Sequence, residues 1–179
     1  MRIRKLIKRI IIYFILTLLA FILQTGVFPL IGFLWTAPNL LLIVTFSYGL
    51  IYGSSTGIIC GVFAGLLMDL FYAEHFGLFI LLLSYLGFFS GRFKEDFRTD
   101  SIFLPLVICL LCDIFYNAAM IVYRLFTSGD VNLYFVLRQM VFPEMFFTIV
   151  VMIIAYRILL YVNRRLDSID NLRGQNAAG

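Results

Sequence analysis

The sequence predicts an all-α integral membrane protein, one compact bundle of six transmembrane helices with both termini in the cytoplasm. Two observations carry this. Of the 179 residues, 63% are apolar and only 13% charged, with a mean hydropathy of +1.02; a water-soluble domain needs more charge than that to cover its surface. The positive charge is also gathered into three groups. Arg2, Arg4, Lys5, Lys8 and Arg9 open the chain, Arg92, Lys94 and Arg98 stand near its middle, and Arg157, Arg164, Arg165 and Arg173 close it. Basic residues mark the cytoplasmic side of a membrane protein, so both ends lie inside and the number of crossings is even. Within the bilayer every backbone N–H and C=O needs an internal partner, which leaves helices or a closed barrel. Continuous apolar runs, rather than alternation with period two, select helices.

A crossing takes about 20 predominantly apolar residues, fewer where the bilayer thins. The first span is expected over 10–28, ended by Pro29 and Gly32, with no small-residue cleavage site behind it, as in an uncleaved anchor. Trp35 in the following loop is an interfacial anchor candidate. Pro38 opens the second span, 38–52, because proline suits a helix's first turn. Gly53–Gly57 makes a tight turn into the third span, 57–72. Glu74 and His75 mark the next turn, and the fourth span covers 77–91. Arg92–Asp100 is the one strongly charged interior loop. The fifth span, 102–126, carries Pro105 in its first turns. Thr127–Asp130 is a turn, 132–139 a short interfacial helix, and 140–162 the sixth span, interrupted early by Pro143. The whole chain, 1–179, is read as a single membrane domain with a disordered tail from about 168. Twelve of the fourteen Lys and Arg fall at inner ends; Arg124 and Arg138 alone fall outside. No internal repeat is evident.

The polar residues within the spans are the informative ones. Gly57, Gly61 and Gly65 lie four apart and end at Asp69, so they share one helix face. Such a stripe lets another backbone approach closely, which serves packing within the bundle or a partner's helix. An acidic residue costs about 2.5–3.5 kcal/mol at mid-membrane on insertion scales. The topology sets Asn39, Asp69, Asn117, Glu144 and Thr148 in the outer half of the bilayer, with Asp113 near the centre. We expect these six to face inward as a polar network or small cavity open to the outer side. Arg124 and Arg138 are the candidate charge partners of Asp69 and Glu144.

Several function classes fall away. The net charge of +4 belongs to the cytoplasmic face and its anionic lipid, so no nucleic-acid partner is implied. Cys60, Cys109 and Cys112 are an odd count inside apolar runs, which argues against a disulfide framework; Cys109 and Cys112 read as packing positions. His75 has no ligand-spaced neighbour, so no metal site is expected. No phosphate loop, nucleotide fingerprint or serine elbow occurs. We expect no cofactor and no catalytic set.

Several stretches resemble one family. Ala37-Pro38-Asn39-Leu40-Leu41-Leu42-Ile43 is similar to the Pro-Asp/Asn-Leu-Leu-Leu helix opening of the rod shape-determining protein MreD family. Gly57-Ile58-Ile59-Cys60-Gly61-Val62-Phe63-Ala64-Gly65-Leu66-Leu67-Met68-Asp69-Leu70 resembles that family's glycine-rich run ending Gly-Leu-Leu-x-Asp. A short turn, Phe76-Gly77-Leu78, and a helix ending Gly91-Arg92 follow in the same order. Pro143-Glu144 is similar too, whereas Thr148 stands where the family often has Asn. The resemblance implies a non-enzymatic role in a bacterial inner membrane. It implies association with the single-span protein MreC and, through it, with the actin-like MreB and the lateral-wall peptidoglycan synthases. It also implies a distant fold similarity to substrate-binding subunits of energy-coupling-factor transporters, and hence the alternative of a vitamin-binding membrane subunit. Those subunits commonly carry paired alanines in the first helix, where this chain has Ala20 alone.

Overall fold

In the computed structural model, residues 2–31, 37–72, 76–95, 102–128 and 133–175 are described. Trp35, Glu74, His75 and residues 96–101, 129–132 and 176–179 lie outside them. Among the described residues there are helices and no strands. The helices are α1 (Arg2–Ile22), α2 (Leu40–Tyr52), α3 (Ser54–Tyr72), α4 (Leu78–Gly91), α5 (Phe103–Ser128), a single-turn α6 (Leu133–Val136) and α7 (Phe142–Gln175). Ile11–Leu30, Ser54–Tyr72, Phe103–Thr127 and Tyr134–Ile158 are each long and apolar enough to cross a bilayer. The helices α2 and α4 are shorter, about 20 Å each at 1.5 Å per residue.

The centre of the bundle is α2. It packs against α1, α3, α4, α5 and α7, and every residue from Leu40 to Leu50 is buried. A helix apolar on all faces belongs in a core or in lipid; here protein surrounds it. The closest packing in the bundle is between α3 and α4. A methyl group on Gly57 would strike the Gly87 carbonyl, one on Gly61 the Leu83 carbonyl, and one on Gly65 the Ile80 backbone. Gly87 in turn faces Gly57, Gly49 faces Ser90 and Gly87, and Gly91 faces Ser54. The glycine stripe of α3 is therefore closed by α4, with α2 wedged against both. Close backbone approach of this kind supplies dispersion and packing energy where lipid offers no hydrophobic drive.

Several boundaries differ from expectation: α3 begins at Ser54, so of the expected Gly53–Gly57 turn only Gly53 lies outside a helix. The helix α2 starts at Leu40 with Asn39 as its N-cap, so Pro38 precedes the cap instead of occupying the first turn. The last span does not start afresh at 140. From α6 the chain passes through a π-helical turn, Leu137–Val141, directly into α7, and α7 continues to Gln175, past the expected start of a disordered tail at 168. The first span likewise leaves α1 through a π turn, Leu23–Val27, and a 3-10 turn, Phe28–Ile31.

These π turns expose a short sequence echo. Leu23-Gln24-Thr25-Gly26-Val27-Phe28-Pro29 and Leu137-Arg138-Gln139-Met140-Val141-Phe142-Pro143 share Leu, Val, Phe and Pro at the same offsets. In each, the Phe N–H bonds to the Leu carbonyl five residues back. A proline ring clashes with the carbonyl four residues earlier, here Thr25 or Gln139. Both residues sit inside the widened turn, where the local i→i−4 ladder is already given up.

Candidate functional site

At one end of the bundle α1, α3 and α5 finish while α2, α4 and α7 begin. Two helix starts there are buried, and a buried start must satisfy its own orphan N–H groups. For α2, the Leu42 N–H donates to Asn39 Oδ1 (3.1 Å), the Leu41 N–H to Gln24 Oε1 (3.0 Å) and the Asn39 N–H to Thr148 Oγ1 (3.0 Å). Pro38 has no N–H to satisfy. Asn39 and Thr148 are 3% and 0% exposed. Thus the π turn after α1, through Gln24, and α7, through Thr148, both clamp the beginning of the central helix.

For α4 the solution comes from another helix. Gly77 precedes α4 at φ +106°, a left-handed conformation that glycine adopts without strain, but glycine has no side chain with which to cap. Asp69, one turn from the end of α3, supplies it: the Phe79 N–H donates to Oδ1 (3.1 Å) and the Ile80 N–H to Oδ2 (3.0 Å). Asp69 is 4% exposed. Both of its oxygens serve α4, so it stands apart from the other polar residues at this end instead of joining one network with them. A positive helix end next to a carboxylate adds to the match.

The remaining polar residues do meet. Asn117 Nδ2 donates to the Asp113 carbonyl (3.1 Å) and reaches Asp113 Oδ1 (3.4 Å). Tyr116 and Asn117 on α5 line one cavity together with Glu144 on α7. Asp113 and Arg124 both act on Glu144. Tyr116, Asn117 and Glu144, from α5 and α7, thus lie together, with Asp113 joined through Asn117, while Asn39 on the start of α2 meets Thr148 on α7. The cavity measures about 130 Å³ and is lined by Tyr116, Asn117, Met120, Ile121, Arg124, Val136, Met140, Val141 and Glu144. Arg124 Nη1 points to Met140 Sδ at 3.5 Å. Arg138 turns the other way, with Nη1 2.7 Å from the Tyr134 hydroxyl and its guanidinium 5.8 Å from that ring's centre.

Gln24, Tyr116, Met140 and the glycines facing α3 were not singled out in the sequence. Gln24 carried a signal, being a polar residue inside an apolar span. So did Gly87 and Gly91, four apart like the stripe they meet. Tyr116 and Met140 carried none. Among the described residues no group of three His, Cys, Asp or Glu side chains converges on a metal-sized site, and all three cysteines are buried thiols.

A helical bundle with a glycine-closed centre, buried helix starts capped across the fold and long apolar surfaces defines an all-helical membrane protein. Within that class the sequence model of the family described as rod shape-determining protein MreD matches residues 4–164. The chain belongs to that family, whose role is the determination of rod shape. No curated protein and no solved structure matches the chain.

Proposed function

We propose that the protein is a non-enzymatic scaffold of the bacterial cell-elongation machinery. It crosses the inner membrane six times, with both termini in the cytoplasm and the Asn39–Glu144 end facing outward. In this reading it links an MreC-like single-span protein, and through it MreB and the peptidoglycan synthases, to the lateral wall. Family membership over residues 4–164 is the observation that carries the reading. The construction supports it. Gly57, Gly61 and Gly65 are closed by α4, and the buried polar groups at one end are largely committed to holding helix starts in place, as a rigid adaptor requires.

With the stripe closed, a partner's helix would lie on the apolar surface of α1, α5 or α7. On α1 this surface runs through Ile11, Phe14, Ile15, Leu19 and Ile22, all exposed. Depletion in the host, followed by microscopy and affinity purification, tests the proposal. Rounding of rods with stoichiometric recovery of a single-span protein is expected. A vitamin requirement with recovery of an ATPase module, and cells that stay rod-shaped, would refute it.

A further inference from the structure

The last helix outruns the bundle. Its main helical neighbours are α2 and α5, and one contact with each shows where they stop along it. Asn39 meets Thr148 at the start of α2, and α2 runs beside α7 in the same direction as far as Tyr52. That brings the end of α2 level with position 161. Arg124 meets Met140, and α5 runs in the opposite direction, its first residue being Phe103. That brings the start of α5 level with position 161 as well. The apolar span ends at Ile158, yet α7 continues to Gln175. Residues 162–175 thus carry the helix about 21 Å past the bundle, at about 1.5 Å per residue. From Glu144 to Arg173 the chain has no proline or glycine, the residues at which helices kink sharply. The extension therefore continues the span out of the membrane and does not bend back onto the lipid.

The extension is patterned. Leu159, Val162, Leu166 and Ile169 are spaced three, four and three, the a/d repeat of a coiled coil. Arg164, Asp167, Ser168 and Asn171 take the opposite face. At about 100° per residue, the stripe lies about 70° round the helix from Thr148, Met152 and Tyr156, which are packed inside the bundle. It leaves to one side of its own bundle, where a neighbouring copy has room to approach. An apolar stripe carried into water gains from being covered. The charges beside it indicate by what. Arg165 and Asp170 flank the stripe at g and e positions, five residues apart, and Arg165 has no acidic residue three or four positions away on its own helix. In a parallel coiled coil the g residue of one strand faces the e residue five positions on in the next. Identical chains inserted in one bilayer share one orientation, so their extensions run parallel and in register.

We propose that residues 162–173 of α7 form a short parallel coiled coil with the same residues of neighbouring copies of this chain. Val162, Leu166 and Ile169 form the seam, and Arg165 of each copy pairs with Asp170 of the next. So short a repeat would not hold as a free peptide. Here the span already nucleates the helix, and confinement to the bilayer raises the effective concentration of the copies. The inference requires that the bundle sit in a bilayer and is independent of the scaffold role.

Oxidative cross-linking of the full-length protein in isolated membranes tests it. The wild type, whose three thiols are buried, gives the background. Leu166→Cys and Ile169→Cys should yield disulfide-linked dimers or a ladder, since Leu at a with Ile at d also suits more than two strands. Ser168→Cys and Asn171→Cys should stay at background. In liposomes, Arg165→Asp should lower the ratio of associated to single copies, read by energy transfer between labelled molecules, by about two- to thirtyfold, the range for two exposed ion pairs. Arg165→Asp combined with Asp170→Arg should restore it. Deletion of residues 163–179 leaves the bundle whole, which size exclusion would verify, and should abolish the association. Cross-linking that is equal at all four positions would overturn the proposal. Cross-linking absent from positions 166 and 169 would mean that something else covers the stripe, and would overturn it too. So would association that survives the deletion, or a charge exchange that restores nothing.

Discussion

Replacing Asp69 tests whether a carboxylate inside the bundle serves to start a neighbouring helix. Its two oxygens accept from the Phe79 and Ile80 N–H groups at 3.1 and 3.0 Å. Hydrogen bonds to a charged group contribute about 1.5–3 kcal/mol each, so the pair is worth about 3–6 kcal/mol gross. Against this stands the cost of keeping a carboxylate in the membrane, up to about 2.5–3.5 kcal/mol at the midplane and less toward the end of a span. The net stabilisation is therefore about 1–3 kcal/mol. Asp69→Ala should lose all of it and leave two N–H groups orphaned at the start of α4, where Gly77 cannot cap. Asp69→Asn removes the charge and its cost, keeps one acceptor, and should lose about half as much. Unfolding in mixed micelles, followed by far-ultraviolet circular dichroism, gives the order wild type, Asn, Ala. Hydrogen exchange should show faster exchange at Phe79 and Ile80 in the Ala variant. Should Asp69→Ala match the wild type within about 0.5 kcal/mol, the cap would be incidental and the account of α4 wrong.

Other expectations follow from the same geometry. Gly87→Leu drives a side chain into the Gly57 backbone and should abolish the folded, monodisperse protein in detergent, whereas Gly26→Leu, with open space around it, should be tolerated; size-exclusion profiles compare them. Thr148→Val leaves the Asn39 N–H without its acceptor and should cost about 1–3 kcal/mol, while Thr148→Ser should be near neutral; denaturation midpoints decide. Asn39→Ala removes the cap of α2 and should cost about 0.5–2 kcal/mol, by the same measurement. Cysteine-accessibility labelling in intact cells should find positions 2 and 175 protected and position 127 labelled; a labelled terminus would break the six-crossing topology.

The sequence determined what the chain is made of and roughly where each helix lies. Long apolar runs in lipid are helices for want of any other way to satisfy the backbone, and Gly53 and Gly77, both at positive φ, mark two of the turns. It also marked Asn39, Asp113, Asn117, Glu144 and Thr148, because a polar group in oil is costly enough to be noticed. What it could not give was facing. A membrane helix is apolar toward protein and toward lipid alike, so periodicity carries no direction. Leu40–Leu50 reads like any short span and turns out to be enclosed by five other helices. The choice of partners was equally hidden. Asp69 lies among the polar residues at one end of the bundle but is consumed by α4, and Gln24 is spent on the start of α2. The π turns before Pro29 and Pro143 depend on how a ring avoids the carbonyl four residues earlier. Composition set the solvent and the number of rods; which surfaces touch was decided only in three dimensions, since close backbone approach and hydrogen-bond direction depend on geometry that no residue carries alone.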